Sequence, residues 1–207
     1  MKFAVAAIAL IVTTAASSSH VDAQDQIVEF RLQIEDASGA TISEATVGSD
    51  FTLSGYVMDL RDPPQGVFSA YADVLYDAGL VSVGGPIETG PAFPNGASGN
   101  ALTPGIIDEI GSFDGLMPAD LGPLLLFSVP FTADAMGTAE FQLDPADILP
   151  LHETAVFDAD IRVPPEAQRF VGTSLEIVPE PGSVGAAMFA VATLVSMVRK
   201  RQRARAW

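Results

Sequence analysis

Alternation of apolar and polar residues dominates the long middle of the chain. Val28, Phe30, Leu32 and Ile34 alternate with Glu29, Arg31, Gln33 and Glu35, the period of a half-buried strand. Ala37-Ser38-Gly39-Ala40 turns the chain. Phe51, Leu53, Gly55 and Val57 then alternate with Thr52, Ser54, Tyr56 and Met58. Asp62-Pro63-Pro64-Gln65-Gly66 reads as a turn, with φ preset by proline and a glycine at its end. Val67 to Tyr76 predicts a longer strand with Phe68, Ala70, Ala72, Val74 and Tyr76 on one face, and Leu80 to Val83 a short one. The stretch from Glu88 to Thr103, rich in Gly, Pro, Asn and Ser, predicts a long surface loop. Further strands are expected at Ile106–Phe113, Leu124–Phe131, Ala139–Leu143, Phe157–Val163 and Thr173–Val178. One helical turn is expected at Leu116–Leu121, and a short helix capped by Asp144-Pro145-Ala146-Asp147. Eight or nine short strands without a long amphipathic helix predict an all-β chain, folded as a single antiparallel β-sandwich.

Two apolar runs flank this region. Lys2 precedes an unbroken run from Phe3 to Val12, and Val21-Asp22-Ala23 offers small residues at −3 and −1. That is the layout of a signal peptide over 1–23, cut between Ala23 and Gln24. The second run, Gly182 to Val198, is 17 residues without a charge. As a helix it would span about 25 Å at ~1.5 Å per residue, near the short limit for crossing a bilayer. Arg199, Lys200, Arg201, Arg203 and Arg205 follow it and predict a cytoplasmic C-terminus. Just before the run, Val178-Pro179-Glu180-Pro181 cannot continue into a helix and stays extended. The expected organisation is a signal peptide (1–23), a sandwich domain (24–177) and a tail (178–207) holding the motif 178–181, a transmembrane helix 182–198 and a basic cluster 199–205.

This tail resembles the PEP-CTERM sorting signal: Val178-Pro179-Glu180-Pro181, an apolar helix and a terminal basic cluster, in that order. The resemblance covers about one seventh of the chain. It implies recognition by an exosortase, a membrane-embedded, cysteine protease-like sorting enzyme that acts at or near the Pro-Glu-Pro motif. It also implies a membrane-anchored precursor that passes to the cell surface or to an exopolysaccharide matrix.

Charge narrows the partners. Residues 24–178 hold four arginines (Arg31, Arg61, Arg162, Arg169), no lysine and 24 acidic residues, a net charge of −20. Such a surface repels nucleic acid and other polyanions. The absence of cysteine excludes disulfides, thiol nucleophiles and thiolate metal sites.

Catalytic signals are sparse, and no catalytic or metal-binding residue is assigned. His152 is the only histidine of residues 24–178, and no Gly-x-Ser-x-Gly elbow accompanies it. The pairs Asp108/Glu109 and Asp158/Asp160 could supply the two carboxyls of a glycosidase, against a high background of acids. Sugar sites favour aromatic platforms, and residues 24–178 hold only Tyr56 and Tyr71 near possible grooves, with Tyr76 expected inward and no tryptophan, so the sequence does not signal a sugar site. No cofactor is called for. For a structural calcium ion the candidates are Asp59 with Asp62, and Asp144 with Asp147.

The middle region carries a second resemblance. Val47-Gly48-Ser49-Asp50-Phe51 leads to the long strand ending Tyr76-Asp77, then to Leu80-Val81-Ser82-Val83 and to Phe131-Thr132-Ala133-Asp134-Ala135-Met136-Gly137-Thr138-Ala139-Glu140-Phe141. This resembles the cohesin and carbohydrate-binding-module-like jelly rolls over residues 28–178. The matching positions are turn and core residues and imply a fold, not a binding site. The expected function is that of an exported structural or adhesive protein of the cell surface or extracellular matrix. The alternative is a carbohydrate-binding module acting there or in exopolysaccharide.

Overall fold

The computed structural model describes residues 26–158 and 162–180. The signal-peptide junction at Ala23 and Gln24, Asp160, Pro181, the apolar segment 182–198 and the basic cluster lie outside the described residues. Among the described residues thirteen strands form two sheets. They are β1 (Val28–Glu35), β2 (Glu44–Thr46), β3 (Asp50–Asp59), β4 (Val67–Tyr76), β5 (Val81–Val83), β6 (Glu88–Thr89) and β7 (Asn95–Asn100), followed by β8 (Ile106–Phe113), β9 (Leu124–Ala133), β10 (Gly137–Pro145), β11 (Ala155–Val156), β12 (Gln168–Val171) and β13 (Thr173–Val178). The first sheet runs β12-β1-β3-β9-β5, with β6 also on β9; the second runs β2-β13-β10-β4-β8-β7, with β11 also on β4. The only helix among the described residues is a single 3₁₀ turn, Pro165–Ala167.

The core is where the alternation placed it, except at Phe68, which packs on Phe113 and Phe157 and lines an outer groove instead. Phe30, Leu32, Ile34, Phe51, Leu53 and Val57 of the first sheet face Ala70, Ala72, Val74, Ile107, Ile110 and Phe141 of the second. An aromatic cluster joins the layers. The Phe51 and Phe131 rings stack at 5.7 Å, and Phe141 meets both edge-on. Tyr76 points inward onto Phe131 at 5.1 Å, as expected. Each such pair adds about 0.5–1.5 kcal/mol beyond its area burial. Gly55 lies under the ring of Phe127, whose nearest atom would stand 2.3 Å from a Cβ at that position.

Five further expectations are corrected. The sandwich is not purely antiparallel: β12 runs parallel to β1, and β13 parallel to β2. The chain end crosses from one sheet to the other at Gly172, so one segment closes both. The expected loop Glu88–Thr103 holds β6 and β7. β7 is an exposed edge strand with two register shifts, so it carries no apolar alternation to be read. Leu116–Leu121 is not helical. The carboxylate of Asp114 accepts from the amides of Gly115 and Ala119, and that of Asp120 from those of Leu121 and Gly122, which diverts these amides from helical bonds. No helix follows Asp144; β10 runs through Pro145, and the amides of Asp147 and Ile148 turn to Glu109. The strand expected over Phe157–Val163 does not start at Phe157: β11 ends at Val156, Asp158 takes a positive φ of 60°, and Arg162 forms an isolated bridge to Ala155, while residues 159–161 lie outside the described residues.

Candidate functional site

Strand β4 is buried on both faces. Ala70, Ala72 and Val74 face the core, and Ser69, Tyr71 and Asp73 point the other way, yet all are buried. The cover is the segment 146–154, a flap that leaves β10 and crosses the outer face of the second sheet before rejoining β4 as β11. Ala155 of β11 pairs with Ser69, and Phe141 of β10 with Tyr76.

The side chain of Glu109 makes three of the contacts that hold the flap. Between Ala72 and Val74 the register with β8 shifts, so that Ile110 and Ile107 oppose them and β8 carries one extra residue. At this bulge Glu109 adopts φ +56°, a conformation that costs a non-glycine residue about 1–2 kcal/mol. Four hydrogen bonds offset it. The Glu109 amide donates to Asp73 Oδ1 at 2.8 Å. Glu109 Oε1 accepts from the amides of Asp147 and Ile148, both at 2.7 Å. His152 Nδ1 lies 2.5 Å from Glu109 Oε2. A carboxylate oxygen accepts, so the histidine donates its Nδ1–H to Glu109. The side chain of Glu109 is 3 % exposed and that of His152 14 %.

The neighbours fix the imidazole. The ring of Tyr71 stacks on that of His152 at 4.7 Å and 23°. Its hydroxyl donates to the Gly96 carbonyl at 3.2 Å. Gly111, opposite Tyr71 in β8, admits this ring: a Cβ there would stand 2.0 Å from Ala70 O and 2.7 Å from the Tyr71 ring. Ser69 Oγ donates to the Glu153 carbonyl at 2.6 Å. Burial raises the Tyr71 hydroxyl and the Asp73 carboxyl above their ordinary pKa values. For Asp73 the bond from the Glu109 amide opposes the rise, and the charges of Asp108, Glu109 and Asp147 add to it.

The flap separates two hollows. One, about 460 Å³, is lined by Phe68, Tyr71, Ala97, Phe113, Leu151 and Ala155 among others. The other, about 210 Å³, lies between Tyr71, Leu149, His152, Arg162, Pro164 and Gln168. The flap carries an exposed apolar ridge, with Leu149 60 % and Leu151 72 % accessible, and the 114–122 loop exposes Leu116 and Met117. A groove with apolar walls and an apolar rim is the common setting of a site that meets another molecule.

The remaining sequence candidates separate. Asp108/Glu109 is not a glycosidase pair, because both oxygens of Glu109 are committed to the flap. Asp59 is a turn-former. Burial alone would raise its pKa, but Arg61 and the amides of Arg61 and Gln65 hold it below the ordinary value. Among the described residues no group of three or more His, Asp or Glu side chains is arranged to hold a metal ion. Val178 ends β13 opposite Thr46 and accepts from the Val47 amide at 3.0 Å, and Pro179 and Glu180 are exposed beyond it. Reading residues singly hid the pairing of Glu109 with His152. Its one trace in the sequence is Asp108-Glu109 interrupting an otherwise apolar strand, the mark of a bulge.

No family model matches the sequence, and no curated protein does. Solved structures do match. A type I cohesin from the ScaB protein of Pseudobacteroides cellulosolvens is 14 % identical over 75 % of this chain and 94 % of its own, with a TM-score of 0.57. A cohesin module from a family 33 glycoside hydrolase of Clostridium perfringens is 14 % identical over 75 % of this chain and 99 % of its own, TM-score 0.55. A type I cohesin–dockerin complex from Clostridium thermocellum gives 16 % identity over 72 % of this chain and 99 % of the matched chain, TM-score 0.52. At these identities the likeness is one of fold, and this chain has the fold of a cohesin module.

Proposed function

We propose that this chain is an exported surface module that binds a protein partner through the flap and groove of its second sheet, and that residues 178–207 are its PEP-CTERM sorting tail. The observation that carries the reading is the pinned flap. A buried Glu109–His152 pair holds exposed Leu149 and Leu151 beside an apolar groove, so a sticky surface is fixed rather than left to collapse. The fold supports it, since one similar structure is a cohesin–dockerin complex. The partner is a protein segment with apolar side chains flanked by cations, matching an apolar groove on a domain of net charge −20. The role is structural or adhesive, not hydrolytic.

Topology supports presentation. β4 runs from Ser69, beside the groove, to Tyr76, seven residues and about 23 Å further along. Tyr76 pairs with Phe141 of β10, whose far end at Gly137 pairs with Ile177 next to the chain's exit at Val178. A tail anchored in the membrane therefore leaves the groove at the distal end. Tail recognition by an exosortase, the anchored precursor and delivery to the cell surface or matrix belong to the same proposal.

The test places a photo-crosslinking residue at Leu151 or, as a control, at Thr138, in the full chain at the surface of its host. A discrete adduct from position 151 to a segment with basic flanks, lost on Leu149→Asp, is expected. Equal adducts from both positions, or none from 151, overturn the reading.

A further inference from the structure

The outer face of the first sheet carries a second, chemically different groove. It holds about 400 Å³ and is lined by Glu29, Arg31 and Gln33 of β1, Tyr56 and Met58 of β3, and Pro123. In register, Glu29 stands opposite Met58, Arg31 opposite Tyr56 and Gln33 opposite Ser54. A register shift at Gly55/Tyr56, where β9 carries an extra residue, kinks the sheet beside Tyr56.

The floor is built. Glu29 lies on the outward side of β1, yet its side chain is only 5 % exposed. Arg31 grips its Oε1 through Nε at 2.9 Å and Nη2 at 2.7 Å, and Arg169 Nη1 stands 3.4 Å from its Oε2. Two of the four arginines of residues 24–178 thus converge on one carboxylate of a solvent-facing sheet. The buried carboxylate needs these cations, and because the Arg31 side chain stays 49 % exposed its guanidinium also lines the groove. Beside them, Glu35 accepts from Tyr56 Oη at 3.1 Å and from Ser54 Oγ at 3.0 Å, which fixes the tyrosine ring.

We infer that this groove binds a neutral polysaccharide, with Tyr56 as the apolar platform, Arg31 and Gln33 as partners for sugar hydroxyls, and Glu29 holding Arg31 in place. A hydroxyl both donates and accepts, so it needs donors and acceptors side by side: Arg31, fixed by Glu29, donates, and the Gln33 amide offers both. A pyranose also presents an apolar face of C–H groups that packs on an aromatic ring. A polyanionic polymer is disfavoured by the charge of −20. This site is independent of the flap groove, which lies on the opposite sheet.

The experiment is affinity electrophoresis of the full chain in a polyoxyethylene detergent, through gels containing hydroxyethylcellulose, xylan, galactomannan, dextran or, as polyanion, alginate. Retardation by at least one neutral polymer is expected. Tyr56→Ala and Gln33→Ala should each weaken it at least tenfold, while Glu140→Gln on the exposed face of β10 leaves it unchanged. Gln33→Ala keeps the test decisive should Tyr56→Ala fail to fold. Retardation by no neutral polymer, by alginate alone, or undiminished in the folded variants overturns the inference. None of these results bears on crosslinking from Leu151, so the two sites stand or fall separately.

Discussion

Glu109 and His152 stand 43 residues apart in the chain and 2.5 Å apart in space, and that contact fixes the flap over the second sheet. The carboxylate occupies a backbone conformation it would not choose and is buried where a lone charge could not stay. Its partners, three of them flap groups or the imidazole, make the position tolerable. The same contact decides whether the apolar ridge is presented in one arrangement or many.

Removing Glu109 should therefore cost more than removing His152. Glu109→Ala strands the amides of Asp147 and Ile148 as well as the imidazole, and should lower stability by about 2–4 kcal/mol. His152→Ala leaves the carboxylate its amide donors and should cost about 1–3 kcal/mol. Because both act through one contact, the double variant should fall short of the sum by at least ~1 kcal/mol. Urea denaturation of the four proteins measures the coupling. Strict additivity would show that the flap is held by something else.

Asp59 and Asp73 should respond oppositely to pH. Asp59 is held below the ordinary carboxylate value of 3.8 by Arg61 and the turn amides, despite burial. Its contribution is present above pH 3.8 and is lost as pH falls through its lowered folded pKa. Asp73 is raised above 3.8, mainly by burial, so its ionisation opposes folding at neutral pH, and the opposition fades as pH falls through its raised folded pKa. Asp59→Asn should thus destabilise at pH 7 by about 1–3 kcal/mol. Asp73→Asn, which can still accept from the Glu109 amide, should stabilise. Denaturation midpoints at pH 7 and pH 3.5 check both signs, and each difference should shrink at the lower pH.

Gly111→Ala should be among the most damaging single-methyl changes in the chain. The added Cβ would meet the Ala70 carbonyl at 2.0 Å and the Cα of Tyr71 at 2.8 Å, backbone that cannot move without parting β4 from β8. A loss of about 1–3 kcal/mol or more is expected from overpacking, together with faster hydrogen exchange at the amides of Asp147 and Ile148. Wild-type exchange at those amides would separate strand pairing from flap attachment.

The strands that build the core were legible because one face of each is buried and the other is not: Phe30 and Arg31, or Phe51 and Thr52, announce themselves by alternation. β7 was not legible, because Asn95–Asn100 is exposed on both faces and pairs through its backbone alone. The helical turn expected at Leu116–Leu121 and the helix expected after Asp144 misled for a related reason. An aspartate before a short apolar run can cap a helix or close a loop on itself, and which occurs depends on where the amides find partners. The flap was hidden because its anchor is tertiary: Glu109 is one of 24 acids in residues 24–178, and nothing local ties it to the single histidine.

The tail sequence and the last strand together make the final prediction. Proline cannot enter a following helix without losing a hydrogen bond, so Pro179-Glu180-Pro181 should lie just outside the membrane on the exported side. Val178 is still tied to the sandwich through β2, while Pro179 and Glu180 project beyond the sheet, exposed. A membrane-embedded enzyme could read this extended, charged segment at a fixed height above an apolar helix. Cleavage there would also leave every pairing of β13 intact. The surface form should therefore end near residues 178–182, lack the peptide 189–207, and unfold within about 2 °C of the precursor. Exchanging Pro179, Glu180 and Pro181 for alanine should leave the full-length chain in the membrane. Replacing Arg199, Lys200, Arg201, Arg203 and Arg205 by neutral residues should disturb its orientation or processing. Intact-mass measurement of the wild type and both variants, in a host carrying the sorting enzyme, reads all of this. Surface protein that retains Trp207 would make the tail a permanent anchor and the Pro-Glu-Pro segment a linker.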